Sequence, residues 1–281
     1  MAGVKDLYLS VRWGEKSIVA LYLSLISGLV VALQFNPAEP FYSLSAIQVL
    51  TPFGSFWRGL HYYASQLFFL LSVMHLGAII WEGKHGLFLL TKWFMLIAAL
   101  GVTLLLLFTG YVLRGDATGE AAGLIAENIT LSLPLVGHWL NELLFAVSTE
   151  AMKRVHANHL VGLGVVWLVL SWDHFRRYRV KIWQHPWLVL ALAGVALLIS
   201  APLEPERLGM LHITGPWFFL GLQELLRLVQ PFWAGIVFPT TFFVALCLLP
   251  LSGTAGRVAA YYSAGWLLVY AMLTMFAVWR L

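Results

Sequence analysis

Four histidines stand in stretches otherwise built for an apolar surrounding. His61 and His75 are 14 residues apart in one such stretch, and His159 and His174 are 15 apart in another. An α-helix turns about 100° and rises about 1.5 Å per residue, so the first pair returns to within about 40° of one face, about 21 Å apart along the axis. The second pair lands about 60° off and about 22 Å along. Two helices that each carry two histidines at nearly equal separations can clamp two flat groups between them, one above the other. Haem iron held by two axial imidazoles meets that description, and bundle cores are where such sites are built. His156 competes with His159, but its pairing with His174 would span about 27 Å, a poorer match to the first helix. His156 is therefore read as hydrogen-bonding a neighbour. The plain alternative is four unrelated polar contacts, which have no reason to repeat one separation on two helices.

The elements that position these residues follow from composition. The chain has 281 residues, 60% hydrophobic and 11% charged, with a mean hydropathy of +0.83. Soluble domains run at about 45–50% apolar and about 25% charged. This excludes a soluble domain, a disordered chain and a nucleic-acid binder. The net charge of +4 reflects few acids rather than a basic patch. The single cysteine, Cys247, excludes a disulfide framework, a cysteine-ligated zinc site and a covalent c-type haem, which needs C-x-x-C-H. Its side chain reads as a small buried apolar group. Thirteen Trp, 10 Tyr and 18 Phe match interfacial aromatic belts.

A span needs about 20 mostly apolar residues. Seven stretches qualify: 17–35, 59–81, 88–113, 155–175, 183–202, 231–250 and 258–279. The expected fold is an all-α membrane protein of seven transmembrane helices, a four-helix di-haem bundle (1–180) followed by three C-terminal helices (181–281). Residues 1–16 lack the apolar run of a signal peptide and read as an amphipathic lead-in on the membrane surface. Segments 114–154 and 203–230 are too polar to span and read as helices along the membrane face. With the N-terminus inside, Lys5, Arg12, Lys16, Lys84, Lys92, Arg176, Arg177, Arg179, Lys181 and Arg257 lie inside. Arg58, Arg114, Lys153, Arg154, Arg207, Arg227 and Arg280 then lie outside, a positive-inside bias. His61 pairs with His159 near the outer face, and His75 with His174 near the inner face.

At these residues the chain resembles cytochrome b of the cytochrome bc and bf complexes. Arg58 stands three before His61, as in the family's R-x-x-H; Phe68 and Phe69 follow. Arg154 stands five before His159, with Val155 in place of an aromatic. Gly14 and Gly28 are 14 apart in the first span, like the family's glycines that let a haem approach the helix. Gly110 opens GYVL, and Asp116, Gly119, Pro134, Gly137 and Glu142 continue the register. The LEP of 203–205, the run PWFFLGLQELLR and the span ending LLPL resemble the separate small subunit of the bf complex. The resemblance implies two haem b, with Arg58, Arg154, Gly14, Gly28 and Gly110 as further cofactor-binding residues.

Several positions depart from the family. The outer quinol-oxidising pocket is built from P-W-G/D-Q and P-E-W-Y, which read here Arg114, Gly115, Asp116, Ala117 and Gly215, Pro216, Trp217, Phe218. The glutamate that would take a quinol proton is Pro216, and the tyrosine has lost its hydroxyl. Proton abstraction needs a positioned acid–base group, so the standard Q-cycle is not expected. Asp116, Glu120 and His212 are the available substitutes, though each taken singly reads more readily as a solvated loop residue. The inner haem's arginine is Ala78, leaving Lys92 or Arg176 to hold those propionates. The cysteine that carries the bf type's covalent haem is Arg12, so none is expected. For an inner quinone site the candidates are Trp13, Lys16, Asp173, Lys181 and His185, for which interfacial anchoring is the competing reading.

The expected function is a di-haem b-type cytochrome of a bacterial inner-membrane complex, multi-pass with a cytoplasmic N-terminus. It would carry electrons between membrane quinone and a periplasmic multihaem cytochrome c or iron–sulfur subunit. Other membrane subunits and a homodimer of the complex are implied by the resemblance. The alternatives are the haem b anchor of a dehydrogenase or hydrogenase, and a haem-free anchor or transporter.

Overall fold

The computed structural model describes residues 3–150, 152–206 and 213–280. It is all-helical, with no strand among the described residues. In chain order the α-helices are α1 Val4–Ser10, α2 Trp13–Ala32, α3 Pro40–Leu50, α4 Gly54–Trp81, α5 Leu90–Val112, α6 Ala117–Leu131, α7 Gly137–Leu144, α8 Val147–Glu150, α9 Lys153–Ala157, α10 Leu163–Phe175, α11 Pro186–Leu198, α12 Leu220–Leu228, α13 Phe238–Leu248 and α14 Thr254–Trp279.

Five helical runs are long and apolar enough to cross a membrane: α2, α4, α5, the continuous run Lys153–Phe175, and α14. The other two expected spans are shorter. Helix α11 has 13 residues, about 20 Å of helix against a hydrocarbon core of about 30 Å. Pro186 starts it, and Ile199 leaves it in an extended conformation three residues before Pro202. The Phe232–Leu248 run opens with a π-helical stretch, Phe232–Val237, and carries Pro239 inside α13. Prolines truncate or distort both elements, a local effect that average hydropathy does not register.

The first half is built from two helix pairs. Helix α2 packs along α4, and α10 along α5. Between α2 and α4 the core holds Ala20, Leu21, Phe68 and Leu71, with Trp167 of α10 against it. The polar segment after α5 folds as predicted into short helices across one end. There Val112, Ala122, Ala126, Phe145, Val147 and Val155 form a second core. Buried Glu127 pins α6 to α7 and α8: it accepts from Asn141 Nδ2 (2.7 Å), Ser148 Oγ (2.8 Å) and the Ser148 amide (3.0 Å). The C-terminal part is attached through α11, which packs on α4, and α13, which packs on α5. Buried Trp93 of α5 donates its indole N–H to the Leu246 carbonyl of α13 at 2.7 Å.

The lead-in is docked rather than loose. Tyr8 of α1 donates to the Met74 carbonyl of α4 at 2.5 Å, and Trp13 Nε1 donates to the Tyr8 carbonyl at 2.9 Å.

Candidate functional site

The four histidines meet in two pairs, each bridging α4 and the Lys153–Phe175 run. The ring centres of His61 and His159 are 6.3 Å apart with planes at 86°; those of His75 and His174 are 6.2 Å apart at 53°. An imidazole nitrogen lies about 1.1 Å from its ring centre and binds a metal at about 2.0 Å, so two collinear axial imidazoles place their centres about 6.2 Å apart. Both pairs have the spacing at which one metal fits between two rings. Among the described residues no cluster of three or more ligating side chains exists, so a group that supplies its own equatorial ligands is the one that suits these pairs.

The rings are aimed from behind. His61 Nδ1 lies 2.9 Å from the Ser24 carbonyl of α2, and His159 Nδ1 lies 2.9 Å from Thr109 Oγ1 of α5. A donor at Nδ1 leaves Nε2 as the coordinating lone pair, which is how axial histidines are oriented. His174 is flanked by Tyr178, ring centres 4.9 Å apart.

Glycine lines both levels. A Cβ placed on Gly28 would sit 2.7 Å from His61 Cε1; one on Gly110 would sit 3.1 Å from His159 Cε1, and one on Gly14 3.1 Å from His75 Cε1. Any side chain at these positions would press on a histidine ring. The three glycines singled out from sequence thus face three of the four histidines. The residues present fit an iron porphyrin at both levels.

The unequal spacings, 14 against 15, have a structural cause. Asn158–Gly162 is a π-helical turn that contains His159. A π-turn adds one residue without advancing the α-helical register, so 15 residues there do the angular work of 14. His174 returns to the face it would otherwise miss. Asn158 sustains the turn: its Nδ2 donates to the carbonyls of Leu143 (2.7 Å), Arg154 (3.2 Å) and Leu144 (3.3 Å). Gly162 leaves room for it, since a Cβ there would lie 2.5 Å from Asn158 Oδ1.

Arg58 is buried and donates to Gln48 Oε1, the Ala201 carbonyl (2.8 Å) and the Pro202 carbonyl (2.5 Å). Arg154 has no ion-pair partner among the described residues and leads into the π-turn. The expectation for His156 needs correction. Its Nε2 is buried with no hydrogen-bond partner among the described residues, and its ring packs on Phe35 at 5.1 Å instead.

The substitutes for an outer quinol base fare differently. Asp116 is fully buried and caps α6, accepting from the Gly119 amide (2.8 Å), Thr118 Oγ1 (2.9 Å), the Glu204 amide (2.9 Å) and Arg114. With both oxygens engaged, it is a structural node. Glu120 is exposed, and His212 and Arg207 lie outside the described residues.

At the opposite end the inner candidates divide into two groups. Asp173 holds both Lys92 and Arg176, the latter at 3.2 Å, so the two cations proposed for the inner propionates share one acid. His185 Nε2 lies 3.1 Å from Glu15 Oε2. Glu15 is adjacent to Gly14, which faces His75, and Trp13 is on its other side. Lys181 covers the Trp183 ring at 5.4 Å, and its amide accepts no part in the Glu15 pair, donating to Gln184 Oε1 instead. Glu15 was absent from the sequence-derived set. Its signal was an acid at the head of α2, one residue after a glycine of the site.

The chain is similar to several known proteins. The family model described as Cytochrome b/b6/petB matches residues 4–181. The cytochrome b6 of Heliobacterium mobile is 28% identical over 178 residues, covering 60% of this chain and 81% of that protein. The cytochrome b subunit of the menaquinol:cytochrome c reductase of Geobacillus thermodenitrificans is 23% identical, covering 59% and 77%. Cytochrome b of Eptatretus burgeri, 23% identical, extends the match to 86% of this chain and 73% of its own length. A chain of a hyperthermophilic respiratory Complex III superposes with a TM-score of 0.72 at 18% identity, over 95% of this chain and 83% of that one, and so shares its fold. With a family model covering well over half the chain, and glycines and histidines opposed in its first half, this membrane protein belongs to the cytochrome b family.

Proposed function

We propose that this chain is the di-haem cytochrome b subunit of a quinone-linked complex, carrying electrons across a bacterial inner membrane between the quinone pool and a periplasmic redox partner. The observation that carries the reading is the pair of ring-centre separations, 6.3 and 6.2 Å, each matching one metal between two imidazoles. Haem b bound there supplies reversible one-electron chemistry. His61 and His159 would hold the outer haem, and His75 and His174 the inner one. Ser24 and Thr109 fix the outer rings, Gly14, Gly28 and Gly110 would give the macrocycles room, and Arg58 and Arg154 are the cations assigned to the outer carboxylates.

The quinone site is assigned to the inner face. His185 and Glu15 form a hydrogen-bonded imidazole–carboxylate pair beside the helix that carries Gly14. Such a pair can hand a proton to a quinone oxygen and be recharged from the cytoplasm. Trp13 offers an apolar wall and Lys16 a cation in the same turn, while Asp173 is committed to its two cations. At the outer end Asp116 is saturated, and Pro216 and Phe218 stand where the family motif carries its acid and its hydroxyl, so neither motif presents an acid–base group. This supports one working quinone site rather than a Q-cycle. The remaining parts of the proposal are seven spans with α11 and α13 as short members, a bundle of 1–180 with an attached unit of 181–281, and a cytoplasmic N-terminus. They also include no covalent haem, and a multihaem cytochrome c or iron–sulfur partner in a complex able to dimerise.

The test is a redox titration of the purified protein with a pyridine haemochrome assay. Two b-type components are expected. His61→Ala or His159→Ala should delete one, and His75→Ala or His174→Ala the other. A colourless preparation, or haem content unchanged by all four substitutions, rejects the reading.

A further inference from the structure

The outer corner of the bundle holds more buried positive charge than the described residues neutralise. Arg58 is 7% exposed and Arg114 8%. Arg58 donates to neutral acceptors alone, the Gln48 amide and the Ala201 and Pro202 carbonyls. Arg114 has one carboxylate, Asp116, which it shares with Thr118 and with the backbone amides of Gly119 and Glu204. The Nε of Arg114 is buried with no hydrogen-bond partner among the described residues. A buried guanidinium is strongly disfavoured unless it is paired and its donors are used. Two cations against one acid leave the corner short of an anion.

Position identifies the anion. Arg58 is three residues, one helical turn, outward of His61 on α4. Arg114 is four residues outward of Gly110, the glycine that faces His159 from α5. The segment 201–205 ties the two sites together, giving carbonyls to Arg58 and the Glu204 amide to Asp116. Both arginines therefore stand about one turn outside the same pair of imidazoles, Arg58 on α4 and Arg114 just beyond the end of α5. We infer that Arg114 binds a carboxylate of the flat group held between His61 and His159, alongside Arg58 and Arg154. The inference rests on the di-haem reading above. The Arg114–Asp116 contact holds one edge of the guanidinium, leaving the Nε side for the haem carboxylate, a division of donors that the planar fork of arginine permits and lysine does not.

The test uses the full-length haem-loaded protein in detergent. His61→Ala first shows which titrating component is the outer one. In Arg114→Gln the midpoint potential of that component should fall, because a neutralising cation is lost, while the inner component stays in place. Arg114→Lys keeps a cation for Asp116 and so guards against misfolding. In it the propionate modes of the outer haem in the resonance Raman spectrum should move, and those of the inner haem should not. An outer component that titrates as in wild type, both components moving together, or unchanged propionate modes in the lysine variant would each overturn the inference while leaving the two-haem reading intact. A wild-type preparation without two b-type components would instead remove the reading on which it rests.

Discussion

His159 Nδ1 lies 2.9 Å from Thr109 Oγ1, whereas its counterpart His61 is held by a backbone carbonyl, that of Ser24, at the same distance. The Thr109 hydroxyl donates to the Leu105 carbonyl at 2.9 Å, so its oxygen is free to accept the ring proton. One ligand is thus oriented by a side chain that substitution can remove, the other by a peptide group that it cannot. Loss of such a supporting contact costs about 10–100-fold in metal affinity. Thr109→Val should weaken outer haem binding by that order and Thr109→Ser should restore it, while Ser24→Ala should leave haem content unchanged. Haem retention during dialysis against a haem-binding competitor measures all three.

The glycines make a graded prediction. A Cβ at Gly28 would press within 2.7 Å of His61 Cε1, whereas at Gly14 the nearest ring atom of His75 is 3.1 Å away. Gly28→Ala must therefore displace the ring, and the outer component should fall by about 10-fold, the scale of a mis-set ligand. Gly14→Ala should shift the inner component without deleting it. Gly265→Ala, where a new Cβ meets nothing within 4 Å, is the control expected to change neither.

The inner pair can be separated from the haems kinetically. Glu15→Gln and His185→Phe each remove the proton-passing pair but touch no histidine of the haem sites. Both should slow quinone-dependent oxidation or reduction of the inner component by about 10²-fold or more, the usual contribution of a positioned acid–base group. The optical spectra should not change. Equal rates in wild type and both variants would move the quinone site elsewhere.

Acid stability should report on Glu127. Burial works to raise its pKa, but the hydrogen bonds from Asn141 and from the Ser148 hydroxyl and amide prevail and hold it below the ordinary 4.5. A depressed acid stabilises the fold fully above its unfolded value, and that stabilisation is withdrawn as the pH falls through its folded value. Resistance to thermal unfolding in detergent should therefore fall on acidification below about pH 4.5. Glu127→Gln should flatten that dependence while costing about 1–3 kcal/mol at neutral pH, since the glutamine nitrogen presents a donor to donors.

What the chain revealed in advance were features carried by residue type and spacing. Histidine in an apolar run is conspicuous, and the separations singled out His61, His75, His159 and His174 from nine histidines. Gly14, Gly28 and Gly110 came instead from the resemblance to the family. The features that stayed hidden depend on backbone or on distant chain. The Ser24 carbonyl has no side-chain signature, two of the three acceptors of Arg58 lie 143 and 144 positions away, and Glu15 finds His185 at a separation of 170. The helix bounds also failed where proline acts: 183–202 averages as a span, yet the helix is Pro186–Leu198. The 60° offset of the second histidine pair follows from counting uniform α-helix, which the π-turn interrupts.

The π-turn that removes this offset makes the sharpest prediction. If Asn158–Gly162 holds one residue more than α-helix requires, deleting a residue there should convert it to α-helix rather than break the site. Leu160 is 44% exposed, so its loss removes little packing. The variant lacking Leu160 would set His159 and His174 14 apart, the spacing already present on α4, and should retain both b-type components. A deletion of Val73, also exposed and between His61 and His75, has no surplus residue to absorb it. It rotates His75 by about 100° relative to His61 and should abolish the inner component. Spectra of the two deletion variants, prepared side by side, decide the matter: loss of a haem from the Leu160 deletion would mean that the π-turn holds the ligand for some reason other than register.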